Sequence, residues 1–131
     1  MRFNKKTDYA IILVDALKLT HFSGQFLGIA EIAKKHRLPK IFLEKLAMTL
    51  REHGIVESKK GKAGGYRLKK NPAALTLLDV IRIFEETKIM KPMRKPAPDK
   101  NCPVAKFAPA EKRWAEIDQK IKDIFKQTTF A

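Results

Sequence analysis

Arg37-Leu38-Pro39 constrains this chain more than any other stretch, because it separates two short amphipathic segments that cannot merge into one helix. A residue before proline is pushed out of the helical region, while proline itself suits a first helical turn. Upstream, Ile29 to His36 carries apolar residues at Ile29, Ile32 and Ala33. Downstream, Phe42, Leu43, Leu46, Ala47 and Leu50 recur at helical spacing, and Gly54 is a natural stop. Two helices joined so tightly predict a helix-turn-helix, the unit whose second helix commonly enters the DNA major groove.

The next residues extend that unit. Ile55-Val56 and Tyr66-Arg67-Leu68 read as two short strands around SKKGKAGG, where Gly61, Gly64 and Gly65 allow the backbone angles of a hairpin tip. Lys59, Lys60, Lys62, Arg67, Lys69 and Lys70 lie between positions 59 and 70 with no acid among them. A lysine run alone is usually just a solvated face. A glycine-rich basic hairpin directly after a helix-turn-helix is a wing, and DNA contact is the reading it favours. The expected DNA-facing residues are Lys40, Ile41, Glu44 and Lys45 on the second helix, with Lys59, Lys60, Lys62, Gly64, Gly65, Tyr66 and Arg67 in the wing. Phe42 and Leu43 are also candidates, but at least one of them must be core.

The segment EIAKKHRLPKIFLEKLAMTLREHGIVESKKGKAGGYRL, with MRFNKKTDYAIILVDAL before it and LTLLDVIRIFE after it, resembles the IscR/NsrR-type (Rrf) family of bacterial winged-helix transcriptional regulators. The LEKL…LR…GIV…G…GGYRL series is its most specific part. The resemblance implies a homodimer, an N-terminal winged helix, a long dimerisation helix and, in many members, an iron–sulfur cluster. Glu44 matches a family position that takes part in base discrimination, and a carboxylate there can accept from cytosine N4; the alternative is an exposed helix residue that makes a salt bridge. Pro39, Lys40 and Ile41 stand where serines are frequent in the family, so an operator sequence is not carried over.

The cluster does not carry over either. Family members that hold one have three cysteines before the last helix, whereas this chain has only Cys102, in NCPVAKF, with Ala105 where some members have histidine. Asp8 matches a non-cysteine ligand of some relatives, but a place near a helix N-terminus accounts for it better. One thiolate per chain cannot hold a cluster, so no cofactor is expected. Cys102 is a candidate redox sensor, since Lys100 and Lys106 nearby would favour its thiolate, although a lone cysteine is more often inert.

Charge agrees with a polyanionic partner. The 131 residues carry a formal +14, and residues 1–70 hold 16 basic groups against 6 acidic. An anionic membrane would satisfy the same imbalance, but no apolar run is long enough to span a bilayer, and neither a signal peptide nor a disulfide framework is evident. A cytoplasmic protein is expected, with double-stranded DNA and a second copy of itself as partners, no membrane, and an unknown small-molecule or redox effector.

Elsewhere, Thr7 is the expected N-cap of a first helix that is apolar on most sides to about Leu19. Thr76 and Asp79 have capping-box spacing before Leu77, Val80, Ile81 and Phe84. Prolines crowd the region after Lys88. In the last segment Trp114, Ile117, Ile121, Ile124 and Thr128 advance by three, four, three and four, a narrow seam suited to helix-to-helix dimerisation. A terminal helix lying on its own domain is the alternative.

The expected fold is therefore mainly α with a small two-stranded β wing: a winged helix-turn-helix over 1–87, a proline-rich loop over 88–108 and a dimerisation helix over 109–131. His21, His36 and His53 show no metal-ligand spacing, and there is no phosphate loop, HExxH or nucleophile elbow, so no enzyme is expected. The functional expectation is a sequence-specific DNA-binding regulator acting as a homodimer, most simply a repressor. The alternatives are a protein–protein adaptor and a non-specific nucleic-acid binder.

Overall fold

The computed structural model describes residues 3–85 and 108–131. Its elements follow in chain order as α1 (Lys5–Lys18), α2 (Ile29–His36), α3 (Lys40–Glu52), β1 (Val56–Lys59), β2 (Gly65–Leu68), α4 (Leu77–Phe84) and α5 (Ala108–Gln127). The expected loop over 88–108, Cys102 included, falls almost wholly outside the described residues.

Helix α1 is the central strut, in contact with α3, α4 and β2. Ala10, Leu13, Val14 and Leu17 are completely buried and meet Leu43, Ala47 and Leu50 of α3 in one core cluster. Burying a leucine stabilises a fold by about 1.5–3 kcal/mol, so this shared stripe fixes how α3 is held. The N-cap of α1 is Asn4, not Thr7. Asn4 is extended at φ −79° and its side-chain oxygen accepts from the Thr7 N–H at 2.9 Å. Thr7 is already helical and buried, and its hydroxyl donates to Asn4 and to Glu85, just past α4.

The break between α2 and α3 falls where Arg37-Leu38-Pro39 predicted it. Arg37 is left-handed at φ 53°, and the Leu38 N–H reaches back to the Ala33 carbonyl at 2.9 Å, closing α2. Pro39 is the N-cap of α3, one place before the first turn, and its carbonyl accepts from Leu43 N–H at 3.1 Å. Gly54, at φ 73°, follows the end of α3, and Ile55 N–H then caps the Leu50 carbonyl.

The strands pair antiparallel, with Val56 opposite Leu68 and Lys59 opposite Gly65. Lys59 thus belongs to the ladder rather than to the loop, and Ile55 precedes it. A third segment joins the wing: Leu27 and Tyr66 exchange both backbone hydrogen bonds at 2.8 Å. In α4 both arms of the capping box form, Asp79 N–H to Thr76 at 3.2 Å and Thr76 N–H to Asp79 at 3.0 Å.

Helix α5 packs on α4, and its Asp118, Ile121, Lys122 and Phe125 are buried or half-buried. The Phe125 ring lies 5.8 Å from Phe3. The chain then turns back: Thr128 O accepts from Leu77 N–H at 2.8 Å, Thr129 bridges Thr76, and Phe130 enters the core. No helix among the described residues is long and apolar enough to cross a membrane.

Candidate nucleic-acid interface

Helix α3 has two unlike faces. Leu43, Leu46, Ala47 and Leu50 are buried, and Phe42 turns inward to meet Tyr9 edge-on at 5.4 Å. Both residues left open between core and surface are therefore committed to packing. The opposite stripe carries Lys40, Ile41, Glu44, Lys45 and Met48, all of them exposed except the half-exposed Glu44. Lys40 Nζ stands 3.9 Å from Glu44 one turn on, a loose solvent-exposed pair that a competing partner could break at little cost. Ile41 is 70% exposed and Met48 54%, unusual for large apolar side chains with no cover.

Met48 is the residue of this face that sequence reasoning missed. Its signal was present, because Ile41, Lys45 and Met48 follow one another by four and three residues and must share a stripe.

The expected wing residues divide into three kinds. Lys60 and Lys62 are exposed at the tip. Gly64 and Gly65 are structural: a Cβ at Gly64 would lie 2.2 Å from the Lys59 carbonyl oxygen, and one at Gly65, which sits at φ 137°, would lie 2.1 Å from the Leu27 oxygen. The glycines thus let the hairpin tip fold tightly and let β2 come up against Leu27. Tyr66 is half-buried, tied to that same segment through its backbone.

Arg67 is the third kind. Its Nε donates to Glu57 directly across the ladder, its Nη1 donates to the Gly24 carbonyl at 2.9 Å, and its guanidinium lies 4.4 Å from the centre of the Phe26 ring. These partners hold the wing to the segment between α1 and α2, so the side chain is engaged within the protein. Lys59 shares the same ring from 5.9 Å. Phe26 had no sequence signal, since an aromatic in a loop has no period to betray its partner.

On α5 the expected seam splits. Ile121 is half-buried toward its own domain, while Trp114, Ile117 and Ile124 remain 39%, 40% and 60% exposed. Asp118 occupies the inward face in place of an apolar residue, and Lys122 one turn on pairs with it at 2.8 Å.

The comparisons with known proteins agree with this architecture. A family model described as "Rrf2: Iron-dependent Transcriptional regulator" matches residues 3–131. A putative HTH-type transcriptional regulator from Aquifex aeolicus is 33% identical over 98% of this chain and 88% of its own length. Among solved structures, a putative transcriptional regulator from Listeria innocua superposes with TM-score 0.82 at 26% identity, covering 99% of this chain and 83% of that one. CymR of Bacillus subtilis, described as its global cysteine regulator, gives 0.75 at 28%, covering 99% and 93%.

The residues of this chain do not fit an iron–sulfur cluster. Such a cluster needs several soft ligands, and the sequence has one cysteine, Cys102. Among the described residues no group of three or more His, Cys, Asp or Glu could hold a metal ion. His53, for one, turns its Nδ1 to the Thr49 carbonyl at 2.9 Å.

Proposed function

The chain belongs to the Rrf2 family of transcriptional regulators, and on that footing we propose that it binds a specific DNA sequence as a homodimer and represses transcription. The observation that carries this reading is the divided character of α3. One stripe is locked into the core, while Lys40, Ile41, Glu44, Lys45 and Met48 stand outward beside a basic wing. Inserted in a major groove, that stripe meets base edges, while Lys60 and Lys62 meet phosphates.

Dimerisation would use the outward residues of α5, Trp114, Ile117 and Ile124, with Ile121 at the edge of the contact. Two winged helices then address two half-sites about one helical turn apart. No catalysed step and no resident cofactor enter this mechanism, and the protein would act in the cytoplasm, where the bacterial chromosome lies.

Fluorescence anisotropy with duplex DNA across a salt series tests the reading. The expected outcome is a preferred sequence selected from random duplexes, with affinity falling steeply as salt rises. An adaptor would bind no duplex, and a non-specific binder would select no sequence. Raised transcripts beside the bound sites in a deletion strain would identify a repressor; lowered ones would identify an activator.

A further inference from the structure

Ile41 and Met48 are the two large apolar side chains that α3 exposes, and more than half of each stands open to solvent. Seven residues apart, they are separated by about 20° around the helix and about 10 Å along it. Lys45 lies between them on the same stripe, and the Lys40–Glu44 pair flanks Ile41. The stripe thus alternates apolar and charged groups over two turns.

Charge selects the occupant of this face. A protein partner for an apolar pair would not call for a cationic surround, whereas a nucleic-acid groove presents both anionic walls and one apolar feature. That feature is the C5-methyl group of thymine, which only the major groove displays. We propose that Ile41 and Met48 read thymine methyl groups in the major groove, one each, at positions about two to three base pairs apart. The spacing follows from about 10 Å along the helix and from the groove's path, which is inclined to the DNA axis and so takes more than the axial rise of about 3.4 Å for each base pair. This rests on the DNA-binding reading above and adds to it which base feature the helix seeks.

Uracil supplies a clean probe, because it pairs as thymine does and lacks only the methyl. The wild-type protein is first used to select an operator from random duplexes. Each thymine of the selected core is then replaced singly by uracil, and affinity is measured by anisotropy at fixed salt. Burial of one methyl predicts a loss of about three- to fivefold at each of two positions, about two to three base pairs apart, in every half-site.

Ile41→Ala should abolish the thymine-over-uracil preference at one of the two positions and Met48→Ala at the other. Both substitutions are on the surface and leave the core intact. A selected operator indifferent to uracil at every position, or one without thymine in its core, would overturn the proposal while leaving DNA binding standing. Failure to select any operator would overturn both.

Discussion

Lys60 and Lys62 differ from Arg67 in what replacing them should do. The two lysines are exposed at the wing tip, so Lys60→Ala with Lys62→Ala should act on DNA alone. With a slope of about −0.9 in log affinity against log salt for each phosphate neutralised, the double variant should be shallower by about 1.8, with unchanged thermal stability. Arg67→Ala should instead loosen the wing, because the Glu57, Gly24 and Phe26 contacts disappear together. Gly65→Ala is the sharper change. The added methyl strikes the Leu27 oxygen in a backbone conformation that alanine resists, and the Leu27–Tyr66 pair must part. Strain and lost hydrogen bonds together cost about 2–4 kcal/mol, which thermal denaturation would register as a fall of roughly 10 °C.

Helices α2 and α3 were legible in the sequence because each buries a stripe at helical spacing and ends on a residue with a backbone reason to stop. Position 37 is the exception: an arginine occupies the left-handed site that glycine usually fills. The capping box of α4 was legible for the same local reason. What escaped is what leaves no periodic mark: the Leu27–Tyr66 bridge, Phe26 under Arg67, and the inward face of α5. On α5 the buried Asp118 interrupts the apolar pattern, tolerated because Lys122 satisfies it, and the seam read from isoleucine spacing mixes two faces. That division supports a test. Ile117→Asp with Ile124→Asp alters only exposed positions, so the variant should keep its fold yet sediment as a monomer at micromolar concentration, with weakened operator binding. An unchanged dimer would remove this face from the interface. Ile121→Asp, half-buried against its own domain, should lower thermal stability as well.

The molecule as a whole is closed by residues at the far end of the sequence. Phe130 lies in the core built by α1, α3 and α4, and its N–H reaches the carbonyls of Pro72 and Leu75 at 3.2 and 3.1 Å. Phe130→Ala should therefore cost about 3–5 kcal/mol, a large share of the 5–15 kcal/mol that holds a domain of this size, and calorimetry would measure it. If the protein represses as a pair, as proposed, a chain that lost α5 but still occupied operators singly would block the intact dimer. Such a fragment ends before Phe130 by necessity. It would lack a piece of the core that holds α3, spend more time unfolded, and be exposed to the cell's proteases for longer than its intact siblings. The clasp made by Phe130 would thus tie the persistence of α3 and the wing to possession of α5.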